Sequence, residues 1–253
     1  MGSAMLAGWR EQGLAPSVAV DPAPAAAALH GPDLTVVADV TQISDSFAPA
    51  AIVLAVKPQN AAAVLPAYGR YARHAVFLSI MAGRTLGGME ALLGDAAIVR
   101  AMPNTPAAVR QGVTVACPGP RVSQPQRTLC ERLLRAIGTV AWIEDEALLD
   151  PVTAVSGSGP AYVFLLAELM EQAAIEQGIP PDLARLLARQ TVSGSGALLQ
   201  ASSEDAAALR KAVTSPGGTT AAALSVLMDQ DAWPTALSQA IAAATNRSRE
   251  LAG

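Results

Sequence analysis

The segment Ser215-Pro216-Gly217-Gly218-Thr219-Thr220 sets two adjacent glycines and two hydroxyls at the mouth of a helix. Adjacent glycines let backbone N–H groups turn toward one point. The helix that follows, Thr220-Ala221-Ala222-Ala223-Leu224, opens with amides that have no partner inside it. Such a helix start seats a carboxylate or a phosphate. The amides of Gly217, Gly218 and Thr219 are the candidates to hold the anion, with Ser215 beside them. The alternative reading of the same segment is a plain capped turn.

Three other strings have a chemistry set by where they fall. Val56-Lys57-Pro58-Gln59, Ser79-Ile80-Met81-Ala82-Gly83 and Arg100-Ala101-Met102-Pro103-Asn104-Thr105-Pro106 each close an apolar run. Ligands of open α/β sheets bind outside the carboxyl ends of the strands. Val56, Lys57, Ala82, Gly83 and Asn104 are therefore candidates to line a dinucleotide. Lys57 also reads as a solvated lysine at a strand end, and Asn104, between two prolines, as a turn residue. Asp21 follows the run Val18-Ala19-Val20. An acid there accepts hydrogen bonds from a ribose 2′-hydroxyl and repels a 2′-phosphate, which points to tolerance of, or preference for, NADH. With Pro22, it equally reads as a cap on the next helix.

These residues need a framework. Apolar runs at 18–20, 35–37, 51–56, 75–80, 97–101, 113–116 and 139–143 alternate with helix candidates at 3–12, 23–29, 60–71, 86–93 and 124–137. Continuous apolar runs belong to strands covered on both faces, as in a parallel sheet. The alternation predicts a doubly wound, Rossmann-like α/β domain over residues 1–146. After Glu146 the strand signals stop, and residues 147–253 read as an all-helical domain. Its helices are predicted to start at Gly159-Pro160, at Asp182, at Glu204 with Ser203 as cap, after the Ser-Pro-Gly-Gly turn, and at Pro234. Ser156-Gly157-Ser158-Gly159-Pro160 reads as a rigid elbow between the domains, with Ser158 near the substrate. The helical half carries many small residues, among them Ser193-Gly194-Ser195-Gly196-Ala197, and too few large ones to close a core. It is expected to complete its core against a second copy, as a homodimer.

The start of the chain resembles the end of a G-x-G-x-x-G turn and the helix behind it: Met1-Gly2-Ser3-Ala4-Met5-Leu6-Ala7-Gly8-Trp9. Gly2 and Ser3 would face a pyrophosphate. The strand that belongs before such a turn is central in a Rossmann sheet, so a gap in the sheet is expected. A start codon assigned too late is the plain explanation, and a crippled cofactor site is the other.

Composition excludes several classes. At 253 residues, 51% hydrophobic and 15% charged with a net charge of −4, the chain is globular and offers nucleic acid no general attraction. Cys117 and Cys130 form no redox or metal motif, and with only His30 and His74 besides, no metal site is expected. The longest apolar run, near Ala161–Leu169, reads as too short for a membrane span, and no signal peptide is evident. A cytoplasmic protein with no membrane or nucleic-acid partner is expected.

Taken in order with Thr153-Ala154-Val155-Ser156-Gly157-Ser158-Gly159-Pro160-Ala161-Tyr162, these strings closely resemble the pyrroline-5-carboxylate reductase family over essentially the whole chain. The resemblance implies reduction of 1-pyrroline-5-carboxylate to L-proline by hydride from NADPH or NADH, the last step of proline biosynthesis. It also implies a dimer formed by the helical domain, often assembled further into rings such as a pentamer of dimers, with the substrate loop reaching a neighbouring subunit's cofactor. A protonated imine is already electrophilic, so positioning suffices and no catalytic histidine is needed. Thr220 would then be the catalytic residue, its hydroxyl bonded to the ring nitrogen. Ser215, Gly217, Gly218, Thr219 and Thr220 would bind substrate, and Gly2, Ser3, Asp21, Val56, Lys57, Ala82, Gly83 and Asn104 the cofactor. A related cyclic imine or keto-acid reductase, or an inactive dinucleotide-fold scaffold, are the alternatives.

Overall fold

The computed structural model describes the backbone of residues 1–252 and side chains as far as Leu251. The chain forms two compact units. One comprises Met1–Gly157 with the segment from Thr245 onward, and the other Ser158–Ala244.

The first unit contains seven strands: β1 (Ser17–Val20), β2 (Leu34–Val37), β3 (Ala51–Leu54), β4 (Val76–Ser79), β5 (Ala97–Met102), β6 (Gly112–Pro118) and β7 (Gly138–Trp142). Each coincides with one of the apolar runs. They form a five-stranded sheet in the order β3-β4-β5-β6-β7 and a separate two-stranded sheet of β1 and β2. The expected interruption thus falls between β1–β2 and β3. All pairs are parallel except β5 with β6, which is antiparallel. The reason lies in the connection. Between β5 and β6 the chain makes only the 3-10 turn Thr105–Val109, too short for the crossover that parallel pairing needs.

Helices cover both faces. They are α1 (Gly2–Glu11), the single turn α2 (Ala61–Val64), α3 (Leu86–Leu93) and α4 (Gln124–Arg135). Alternate strand residues feed the two sides. Val76, Leu78, Val99 and Ala101 pack with Met5 of α1 and Cys130 and Leu134 of α4. Phe77 and Ile98 face the other way, onto Ala61, Leu65, Met89 and Leu93. Two expected helices are tighter than foreseen. Pro24–Leu29 is a 3-10 helix, and 60–71 continues beyond α2 as the 3-10 helix Leu65–Tyr71. Pro66 withholds an amide in the middle of that second segment, which breaks the α-helical ladder.

A helical stretch, Glu146–Glu176, leads from the first unit into the second. It includes α5 (Leu149–Val152), a π-helical turn at Thr153–Gly157 and α6 (Gly159–Glu176). The Ser156 and Thr153 hydroxyls donate to the carbonyls of Val152 and Leu149, each four residues back. By length and composition this stretch, which holds an 18-residue window of mean hydropathy 1.3, is apolar enough to cross a membrane, which corrects the reading that no segment is. The second unit continues with α7 (Pro181–Ala201), α8 (Ala206–Ala212), α9 (Thr219–Leu227) and α10 (Trp233–Ala252), whose last turns belong to the first unit. Asp205, not Ser203, caps α8, its carboxylate accepting from the Ala208 amide at 2.7 Å. Among the described residues 158–244, only Ala184 and Ala188 are buried. Phe164 is 66% exposed and Val226 69%.

α1 is held close to its surroundings. A Cβ on Gly8 would overlap the carbonyl oxygen of Ala136. The Trp9 indole donates to Leu133 O at 2.8 Å, and Arg10 pairs with Asp33 at 3.0 Å. Arg110 forks onto Glu11 at 2.9 and 2.7 Å. Gly8→Ala is expected to destabilise the protein by about 1–3 kcal/mol, the usual range for overpacking, read from the midpoint of urea unfolding. An unchanged midpoint would show that α1 moves freely away from Ala136.

Candidate active site

The N-terminus of α1 lies at the carboxyl end of β3. A Cβ on Gly2 would come within 3.2 Å of the Ala55 Cβ, so the missing side chain lets the helix start approach the strand end. Met1 provides no side-chain cap, and the first two helical amides, of Gly2 and Ser3, have no partner among the described residues. Unpartnered amides at a helix start beside strand ends fit the diphosphate of a dinucleotide.

The strand-end loops meet there. Lys57 is exposed and Val56 half-buried, directly after Ala55. Arg84 donates from Nε to Pro58 O at 3.0 Å, tying the loop after β4 to the loop after β3. Ala82 is exposed beside Gly83, whose φ is +68°. The end of α10 closes on Gly83, and a Cβ there would press to 3.0 Å on Leu251 O. Ser248 of α10 donates to Asp150 at 2.7 Å, which anchors that end. Asn104, after β5, accepts on Oδ1 from the Val113 amide at 2.9 Å. Its oxygen thus has a structural partner, and no bond from Nδ2 is among those described.

Asp21 directly follows β1. Its amide donates to Val37 O, and its Oδ1 accepts from the Ala23 amide at 2.9 Å in a local turn. Ala23 is the N-cap of the next helix and no side chain caps it, which corrects the reading of Asp21 as its cap. The second carboxylate oxygen is exposed to solvent with the rest of the side chain. Between Arg10 and Lys57 the sequence has no lysine or arginine.

The segment 215–220 lies in the second unit. Gly217 has φ +70°, a conformation open to glycine and strained for most other residues, and Gly218 is the N-cap of α9. The Gly218 amide closes the turn onto Ser215 O at 3.1 Å, and no side chain caps the helix. Ser215, Gly217 and Thr219 are exposed, while Gly218 and Thr220 are half-buried. Among the described residues the Thr220 hydroxyl has no hydrogen-bond partner.

Two residues escaped the reading of the sequence. Arg100, on β5, is 6% exposed, and its Nη1 donates to Glu146 Oε1 at 2.7 Å. The same oxygen accepts from the Leu86 amide, the first of α3, at 2.8 Å. The available signal was an arginine inside an apolar strand, since a buried cation needs a carboxylate from somewhere. Arg84 was likewise missed.

A doubly wound sheet with open amides at its strand ends, followed by a helical unit with a helix start behind a glycine turn that no side chain caps, is the framework of a dinucleotide-dependent oxidoreductase. Residues 146–251 match the family model for pyrroline-5-carboxylate reductase dimerisation. The pyrroline-5-carboxylate reductase of Pseudomonas aeruginosa is 41% identical over 203 residues, covering 79% of this chain and 74% of that one. The soybean (Glycine max) enzyme is 35% identical over 214 residues, covering 84% and 76%. Among solved structures, the Coxiella burnetii pyrroline-5-carboxylate reductase superposes with a TM-score of 0.92 at 32% identity, covering 100% of this chain and 95% of that one. A Plasmodium falciparum pyrroline carboxylate reductase with NADP bound gives 0.83 at 27% identity, with the same coverage. The chain belongs to the pyrroline-5-carboxylate reductase family.

Neither cysteine belongs to this chemistry. Burial pushes the Cys117 thiol up to about 11 and the Cys130 thiol to about 12, with Glu146 and Glu144 adding to the shift at Cys117. Both are expected to stay protonated and unreactive toward a disulfide reagent at neutral pH, and to react together once denaturant unfolds the chain. Rapid modification of either thiol in the native protein would contradict their burial.

Proposed function

We propose that this chain reduces 1-pyrroline-5-carboxylate to L-proline at the expense of NADPH or NADH. The observation that carries the reading is the pair of open helix starts: α1 beside the β3 strand end, and α9 behind a glycine turn. The dinucleotide, when bound, supplies a hydride. In this proposal the Gly2 and Ser3 amides hold its diphosphate, while Val56, Lys57, Ala82, Gly83 and Asn104 line its nicotinamide side. The amides of Gly217, Gly218 and Thr219, with Ser215 beside them, hold the substrate carboxylate. The Thr220 hydroxyl holds the proton at the ring nitrogen, which keeps the imine electrophilic. Positioning of this kind supplies much of the barrier reduction without a strong base.

The bare apolar faces of the second unit support a homo-oligomer. We assign the exposed side of Glu146–Glu176 to a second copy of the chain rather than to lipid, in a cytoplasmic protein whose substrate and cofactor domains are 147–253 and 1–146. Dimers, and rings of five dimers, accord with the family resemblance, with the loop acting on the dinucleotide of a neighbouring copy.

Thr220→Ala is expected to lower turnover by roughly one to two orders of magnitude, the lower end of acid–base effects, with little change in the urea midpoint. Full activity would remove the hydroxyl from the mechanism. Asp21, with no cation from Arg10 to Lys57, favours NADH. Catalytic efficiency is expected to be higher with NADH than with NADPH, and Asp21→Ser to narrow the gap. A strong NADPH preference in the wild type would reduce Asp21 to a turn residue. Assay against six-membered imines and 2-carboxylate imines separates this activity from that of a related imine reductase.

A further inference from the structure

The part-buried contact of Arg100, Glu146 and Leu86 adds a polar tie to three segments that also pack through Leu86, Met102 and Val152. Arg100 lies on β5, immediately before Ala101-Met102-Pro103-Asn104. Leu86 opens α3, immediately after Gly83-Arg84-Thr85. Glu146 begins the helical run that leaves the sheet. Glu146 Oε1 takes both the guanidinium at 2.7 Å and the helix amide at 2.8 Å. Among the described residues it is the one carboxylate paired with Arg100, whose side chain is 8% exposed against 28% for Glu146. A carboxylate at a helix start also meets the positive end of the helix dipole. Thr85 already caps that helix through the Gly88 amide, so the glutamate is not needed merely to start it.

We propose that Glu146 is a positioning residue for the nicotinamide half of the dinucleotide. One carboxylate oxygen sets the separation between the loop after β4, with Ala82 and Gly83, and the loop after β5, with Asn104. Each anchor lies within a few residues of its loop, and each loop has a further tie: Arg84 to Pro58 O, and Asn104 to the Val113 amide. Asp21, the candidate for the adenosine ribose, lies after β1 and on none of these segments. Loss of the glutamate leaves a buried guanidinium without its partner, and only apolar packing, of Ile98 and Met102 on α3, then sets β5 against the start of α3. This inference rests on the reading that the dinucleotide lies at these strand ends.

The test compares NADH with ADP-ribose, which lacks the nicotinamide, by titration of the purified protein, alongside thermal unfolding. In Glu146→Ala the dissociation constant for NADH is expected to rise roughly tenfold, while that for ADP-ribose stays within about twofold. Turnover is expected to fall by roughly tenfold or more, as reacting groups lose alignment. Glu146→Gln keeps an acceptor for the Leu86 amide and is expected to show the same selective loss in smaller measure. It carries the test should the alanine variant fail to fold. Equal weakening of both ligands overturns the proposal. So does a lower melting temperature with both constants unchanged, which would make the contact a structural brace only. Wild-type protein that binds neither ligand would instead overturn the dinucleotide reading on which this one rests.

Discussion

The close seating of α1 against the sheet is the constraint on which the rest of the first unit depends. Gly8 allows the helix to touch the Ala136 backbone, and Gly2 allows its first turn to touch Ala55. Side chains at either position would lift the helix and carry its open amides away from the strand ends. The polar ties of Trp9, Arg10 and Glu11 fix the far end of the same helix, so its direction is set along its whole length. An anion seat made of backbone amides has no side chain to adjust, and its precision is that of the helix that carries it.

Much of this was legible in the chain. Strands covered on both faces write themselves as unbroken apolar runs, which made β4, β5 and β6 plain, while the edge strand β7, with Thr139 and Ala141 exposed, was visible as a short β-branched run. Helix ends marked by proline and glycine were visible too. The antiparallel β6 was not, because strand direction depends on the length and path of a connection rather than on the residues of the strand. The 3-10 helices at 24–29 and 65–71 were read as α-helices because alanine-rich composition outweighed short length and proline position. Ser203 and Asp205 both suit a cap, and only backbone geometry chose between them. The Arg100–Glu146 pair spans 46 positions of sequence, and no local pattern joins its members. Of the candidate site, the strand-end strings and the glycine turn stood out by composition. Asn104 and Asp21 each carried two readings, and each has a side-chain oxygen taken by a local backbone amide.

The second unit poses the opposite problem from the first. Its helices have regular starts and stops, yet their apolar residues stand largely in the open, and two alanines are its only buried residues among those described. A helical stretch that passes for a membrane span by composition is what a face meant for another protein surface looks like in isolation, because both demand apolar side chains. The match of residues 146–251 to a dimerisation family model points to a homo-oligomer.

The central claim is that a reducing dinucleotide at the strand ends and a carboxylate clasped by amides at the start of α9 act on one small cyclic imine. The most direct measurement compares 1-pyrroline-5-carboxylate with 1-pyrroline, the same ring without the acid, by dinucleotide oxidation and product analysis. The account predicts L-proline from the first, and a kcat/KM for the second lower by roughly two orders of magnitude, the worth of a charge-assisted anion contact of about 3 kcal/mol. Equal turnover of the two imines, or no oxidation of either dinucleotide with the acid, would contradict it.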